Sequence, residues 1–514
     1  MNTALTGILI TMGVYLFGMI IIGALFSKKN ETAGDFYLGG RKLGPFVTAM
    51  SAEASDMSSW LLMGLPGVAY LSGIADAAWT AIGLAIGTYI NWLIVAKRIR
   101  IYTYKANNSI TIPDFFTNRY RDQDKKNILM LIAAAVIIIF FIPYTASGFS
   151  ACGKLFATLF GVNYQLAMVV SAVVIVLYTC LGGFSAASTT DFIQSIVMSI
   201  ALIIVVVFGV NVAGGMDAVM ANASALPGYL SLTAMHDSAS GTATSYGFIT
   251  ICSTLAWGFG YFGMPHILLR FMAIEDENKL PMARRVGSIW VVISMAVAIF
   301  IGVVGYSVSK VGAVPVLAGS NSETIIVEIA KLLSENGIVF ACMAGVILAG
   351  ILASTMSTAD SQLLAASSSV SENILKGFFG IKLSEKMTVV VARICLVVIA
   401  VIGIFLASDP NSSVFGIVSF AWAGFGAAFG PVVLAALFWK RSNMYGALAG
   451  MISGGAMVFI WKYLVRPLGG AWNIYELLPA FLVALAAIVI VSLLTPAPSK
   501  EIQDEFEEVK AACK

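Results

Sequence analysis

Charge is what this 514-residue chain has least of. Its 30 Lys+Arg and 27 Asp+Glu make up 11% of the residues, against about 25% in an ordinary soluble protein. With 59% hydrophobic residues and a mean hydropathy of +0.91, it has too little polar surface to cover a soluble fold of this size. No long basic run is present, which excludes a nucleic-acid-binding or disordered chain. The six cysteines (Cys152, Cys180, Cys252, Cys342, Cys395, Cys513) lack metal-ligand spacing, and five lie in apolar stretches, where they read as small buried hydrophobes. With only His236 and His266, and no His-Glu-x-x-His pattern, no intramembrane catalytic constellation stands out. Period-two alternation is missing from the apolar stretches, so a β-barrel is excluded. No large soluble domain is appended, which argues against a receptor or sensor kinase.

What the chain has in quantity is long apolar runs. A hydrocarbon core about 30 Å thick needs roughly 20 apolar residues per helix. That ruler predicts an all-α integral membrane protein with thirteen spans, near 5–26, 44–70, 75–96, 127–159, 164–184, 190–213, 246–271, 287–309, 337–362, 388–407, 413–439, 443–465 and 475–495. Met1-Asn2-Thr3-Ala4 carries no positive region, so the first run is expected to stay as a helix and not to be cleaved as a signal peptide. Thirteen spans put the termini on opposite sides. With the N-terminus outside, only Lys154, Lys310, Lys331, Lys462 and Arg466 fall outside, and all other Lys and Arg, including Lys28, Lys29, Arg41 and Arg270, fall inside. The positive-inside rule expects this asymmetry.

Two spans are wrong for plain anchors. The second, 44–70, holds Ser51, Glu53, Ser55, Asp56, Ser58 and Ser59 around its middle. One charge at the bilayer centre costs about 2.5–3.5 kcal/mol even on the lenient insertion scale. Such a stretch lines a cavity, binds something, or is satisfied by neighbouring helices. The seventh runs Trp257-Gly258-Phe259-Gly260-Tyr261-Phe262-Gly263-Met264-Pro265-His266. Its glycines weaken the helix, and Pro265 frees the carbonyl of Tyr261 for a ligand, water or another helix, or makes a simple packing kink. These interruptions stand five helices apart, the pattern of inverted-repeat secondary transporters. The expected organisation is an extra N-terminal helix and loop (1–43), two five-helix blocks (44–213 and 246–439), two C-terminal helices (440–495) and a cytoplasmic tail (496–514). A channel gives no reason for paired broken helices.

The ninth span closes with Ser354, Ser357, Thr358 and Ser361 on one helical face. These hydroxyls either bond back to their own helix or, with free carbonyls from the broken second span, offer the oxygens a sodium ion wants. Asp360 beside them is expected to face an inner aqueous vestibule.

Ser55-Asp56-Met57-Ser58, the Trp257–His266 motif and Met356-Ser357-Thr358 resemble the sodium/solute symporter family. Tyr37-Leu38-Gly39-Gly40-Arg41 and the Ala421–Pro431 stretch fit it too, and the likeness runs over nearly the whole chain. The resemblance implies a leucine-transporter-like 5+5 inverted repeat in a bacterial cytoplasmic membrane, N-terminus outside and C-terminus inside. It implies sodium-coupled uptake, with L-proline the expected solute and pantothenate, a sugar or a short-chain carboxylate the alternatives. Sodium is implied at the carbonyls of Ala54, Met57 and Ser354 and the hydroxyls of Ser357 and Thr358. Asp56, Asp191 and Arg41 are implied in coupling or the sodium route, and Ser58, Tyr144, Trp257, Tyr261 and Pro265 in the substrate pocket. No other cofactor, nucleic acid or protein partner is implied. Glu53 and Ser59 depart from the family pattern, which has small residues there, and Ser354 stands where alanine is common. Glu53 is expected to add a proton-sensitive charge beside the site.

Overall fold

The computed structural model describes residues 3–27, 32–122 and 126–513. Lys28, Lys29, Lys125 and Lys514, counted above as cytoplasmic charge, lie outside them. Ten helices among the described residues are long and apolar enough to cross a membrane. The difference from thirteen has a local cause at three places. The expected fifth and sixth spans form one helix, Tyr164–Val212, kinked where Gly183 takes φ 63° and ψ −166°, a conformation open to glycine and costly for other residues. The second and seventh are each divided into short pieces. Pro45–Ser59 and Leu65–Ser72 flank a wide turn over Trp60–Gly64, and Phe248–Leu255 and Pro265–Ala273 flank a tight turn over Ala256–Gly263.

The broken pieces sit at the centre. Pro45–Ser59 packs against Tyr164–Val212, Leu280–Lys310 and Ile338–Ser368, and its residues from Thr48 to Ser59 are all buried. Apolar side chains such as Val14, Phe17 and Leu25 of Thr3–Ser27 stay exposed on the outer surface, as helices facing lipid require. The connection between the sixth and seventh expected spans carries structure of its own. The 214–245 segment contains the Met216–Ser224 helix and a hairpin pairing Ala234–Asp237 with Thr242–Ser245, His236 opposite Ala243. It is fastened over the second and third spans by Tyr229 Oη to the Tyr70 carbonyl (2.9 Å) and Trp79 Nε1 to the Leu232 carbonyl (2.8 Å).

The tail is also ordered. Lys500–Ala512 is a helix whose Ile502, Phe506 and Val509 are buried. Arg119 stacks 5.4 Å over the Phe506 ring, and Glu505 and Glu508 pair with Arg121 (2.6 Å) and Lys105 (3.0 Å). The tail thereby covers the basic loop that follows the third span.

Candidate functional site

The break in the second span comes from one residue. Ser58 takes φ 48° with ψ −172°, a region essentially reserved for glycine that costs a serine about 1–3 kcal/mol. Its hydroxyl accepts the Trp60 N–H at 3.0 Å, the donor that an unbroken helix would offer to the Asp56 carbonyl. Tyr144 Oη reaches that carbonyl instead, at 3.3 Å. The Ala54 carbonyl, whose helical partner would be the N–H of Ser58 itself, accepts the Ser357 hydroxyl at 2.9 Å. In the seventh span Met264 is extended ahead of Pro265, as the residue before a proline prefers. The freed Tyr261 carbonyl accepts from Asn91 Nδ2 at 3.1 Å, and the Trp257 carbonyl from Trp422 Nε1 at 2.8 Å.

Four of the five residues expected at sodium converge. Ser357 Oγ also lies 3.2 Å from the Ser354 carbonyl, Thr358 Oγ1 lies 3.2 Å from the same carbonyl, and the Ser354 hydroxyl turns away to the Ile351 carbonyl at 2.8 Å. Both readings of these hydroxyls therefore apply: they bond their own helix, and Ser357 also bridges to the broken one. Met57, buried, follows Ala54 by three residues on the same helix. The arrangement offers neutral oxygens to a hard monovalent cation.

Asp191 is fully buried but stands one relay away. Its Oδ2 accepts from Ser51 Oγ (2.6 Å) and Arg270 Nη2 (3.2 Å). Arg270 also donates to Ser51 Oγ (3.0 Å), the His266 carbonyl (2.9 Å) and Ser361, whose hydroxyl reaches the Ser357 carbonyl at 2.9 Å. Two expectations change here. Arg270, counted with the cytoplasmic charge, is 1% exposed inside the bundle. Asp360, expected at an aqueous vestibule, is 0% exposed and contacts Ser361 at 3.1 Å, because the helix continues to Ser368 and buries that turn. Arg41 is apart from all of these. It ties the loop after the first span to the Met272 carbonyl (2.7 Å), the Ser109 carbonyl (2.8 Å) and Asn108 (3.0 Å). Burial, with Arg100 beside it, brings its pKa down to about 10.

The expected pocket residues gather around Asp56. Tyr261 donates to Asp56 Oδ2 at 2.5 Å, Tyr144 and Ser58 adjoin the same turn, and Pro265 opens the lower half of the seventh span. Trp257 lies above, its ring stacked on Tyr475 at 5.0 Å and 5.7 Å from Trp60. Asp56, Ser58 and Trp257 are all buried. Trp422 entered only as part of the Ala421–Pro431 stretch, with no role given to it, and Tyr475 had no signal in the sequence. Nor did the buried pair of Lys154 and Glu323 (2.8 Å), where Glu323 also accepts from Ser413 Oγ and the N–H groups of Val414 and Phe415. Lys154 within an apolar run was the available hint.

Two divided helices meeting at a polar, buried centre define the class: a secondary transporter of the leucine-transporter-like fold. A solved Na+-coupled sialic acid symporter in a substrate-bound outward-open state shares this fold, with a TM-score of 0.77 and 18% identity over 96% of this chain and 99% of that one. The sodium:solute symporter family matches residues 36–454, and the chain belongs to that family. It is 44% identical to a sodium/proline symporter of Haemophilus influenzae over 512 residues, covering 98% of each chain. It is 41% identical to the osmoregulated proline transporter OpuE of Bacillus subtilis over 494 residues, covering 96% of each.

Proposed function

We propose that this protein couples the inward movement of sodium to the uptake of L-proline by alternating access. The observation that carries the reading is the Ser357 hydroxyl meeting the Ala54 carbonyl at the break of the second span. A sodium ion entering there displaces that hydrogen bond and is held by the carbonyls of Ala54, Met57 and Ser354 and the hydroxyls of Ser357 and Thr358. Relatives that share 41–44% of the sequence and carry proline transport in their names support the substrate.

In this reading the chain crosses a bacterial cytoplasmic membrane thirteen times, N-terminus outside. The amino acid's ring lies against Trp257 and Tyr261, its carboxylate meets free backbone donors at a half-helix end, and its ammonium meets freed carbonyls. Sodium joins the second and ninth spans and so completes the pocket, and the solute then closes the outer side. Sodium leaves past Ser361, Arg270 and Asp191 and opens the inner one. Coupling follows because each ligand favours the same state, and it is reciprocal. One charge crossing 100 mV supplies about 2.3 kcal/mol, or roughly fifty-fold accumulation before any sodium gradient is added.

Radiolabelled proline uptake into proteoliposomes, with and without an inward sodium gradient, tests this. Sodium-dependent uptake beyond equilibrium is expected. Sodium-stimulated uptake of pantothenate, a sugar or a carboxylate in place of proline would reassign the solute.

A further inference from the structure

Tyr475 lies outside both expected five-helix blocks, in the short connection that leads into the last span, Leu477–Leu494. It is nevertheless buried, and its ring lies on Trp257, which the proposed function places against the solute's ring. Of the four aromatic neighbours of Trp257 among the described residues it is the nearest and the most parallel, at 5.0 Å and 19°. Phe415 stands at 5.6 Å and 51°, Trp60 at 5.7 Å and 34°, and Trp422 at 6.3 Å and 28°.

The tyrosine is itself held at both ends. Its N–H donates to Ser253 Oγ at 2.6 Å, one turn before Trp257 in the N-terminal half of the seventh span. Its hydroxyl donates to the Ser419 carbonyl at 2.7 Å, in the helix Val414–Phe438. Three residues along that helix, Trp422 Nε1 donates to the Trp257 carbonyl at 2.8 Å. Glu476, next in sequence and 1% exposed, pairs with Arg466 at 3.0 Å and so fastens the segment to the end of the twelfth span.

Trp257 stands near the start of the tight turn Ala256–Gly263, where the backbone has left the α-helix. Its carbonyl is held by Trp422 and its ring by Tyr475. Stacked aromatic pairs are directional and contribute beyond the area they bury. A solute ring packed against Trp257 therefore meets an indole whose tilt is set from the C-terminal helices, outside the paired blocks that hold the broken spans. We propose that Tyr475 is a positioning residue for the solute: it fixes the Trp257 indole at the tilt that fits a five-membered ring, and so sets the ring size that the pocket accepts.

This rests on the proline uptake proposed above, and the test separates the two. Labelled proline uptake into proteoliposomes holding the full-length protein is measured with pipecolate, the six-membered ring homologue, as competitor. Tyr475→Leu keeps apolar bulk and loses the stack, and its KM for proline is expected to rise about 2- to 12-fold, the weight of one aromatic pair. The Ki of pipecolate is expected to stay level or fall, so the preference for proline drops by at least that factor. The maximal rate and the sodium concentration for half-activation are expected to hold within about twofold, since the contact acts through binding of the solute ring. Tyr475→Phe keeps the stack, loses only the bond to Ser419, and is expected to retain the preference. If Tyr475→Leu does not fold, Ser253→Ala removes the acceptor of the Tyr475 N–H, and the preference is expected to fall about 2- to 12-fold, the weight of one hydrogen bond. A lower maximal rate with the ring preference unchanged would show a merely structural role and overturn the inference. A phenylalanine variant as unselective as the leucine one would overturn it too. Absence of sodium-driven proline uptake in the unsubstituted protein would instead refute the proposed function, and this inference with it.

Discussion

Replacing Ser357 by alanine tests the assignment of the sodium site most directly, because the structure defines both acceptors of that hydroxyl. It donates to the Ala54 carbonyl at 2.9 Å, with the Ser354 carbonyl at 3.2 Å as a second acceptor. A neutral hydrogen bond of this kind contributes about 1 kcal/mol, and one to a charged group about 1.5–3 kcal/mol. The variant loses both, one from each state, so sodium binding weakens by the difference, about 0.5–2 kcal/mol, or roughly 2- to 30-fold. Sodium activation of proline uptake, measured in proteoliposomes at saturating proline, is expected to shift to higher concentration by that factor. The KM for proline at saturating sodium is expected to change less than twofold, because the Ser357 hydroxyl bonds the Ala54 and Ser354 carbonyls and, among the described residues, forms no hydrogen bond to Tyr144, Trp257 or Tyr261. An unchanged sodium dependence would refute the site, and a shift confined to proline would mean that the hydroxyl serves the pocket instead.

Lys154→Met leaves Glu323 buried without its cation, and removing one partner of such a pair costs about 3–5 kcal/mol. Thermal unfolding in detergent should show that loss, and Lys154→Met with Glu323→Gln should recover most of it; a double variant as unstable as the single one would show that charge is not the cause. In the helix Ile112–Tyr120, between the third and fourth expected spans, burial outweighs the hydrogen bonds from Ile110 and Asn118 and pushes the Asp114 pKa up to about 6. A raised carboxylate favours the fold while protonated, so this contribution is present below about pH 4, the ordinary aspartate value, and is lost as pH rises through about 6. Asp114→Asn should therefore match the unsubstituted protein in melting temperature near pH 4.5 and exceed it at pH 7. Parallel curves across that range would refute the assignment.

Hydropathy alone determined that this chain is a helical membrane protein, because lipid leaves few other ways to satisfy a backbone. It also marked the second and seventh spans as broken, since serines, carboxylates, glycines and a proline cannot pass unnoticed in an apolar run. Helical spacing put Ser354, Ser357 and Thr358 on one face. Spacing within a helix says nothing about what stands opposite, and that is where the tertiary structure decided. Ser357 and Ala54 are 303 positions apart and meet at 2.9 Å. Arg270 reads as loop charge until Asp191, Ser51 and Ser361 are seen around it. Asp360 looks open to water until the helix is followed to Ser368. Lys154 finds Glu323 only across 169 positions of chain, and Glu53 has a ceiling of Thr88 and Trp92 that only packing supplies. Local chemistry governs where a helix breaks. Which atoms complete the break depends on contacts between distant segments, and only the folded chain creates those.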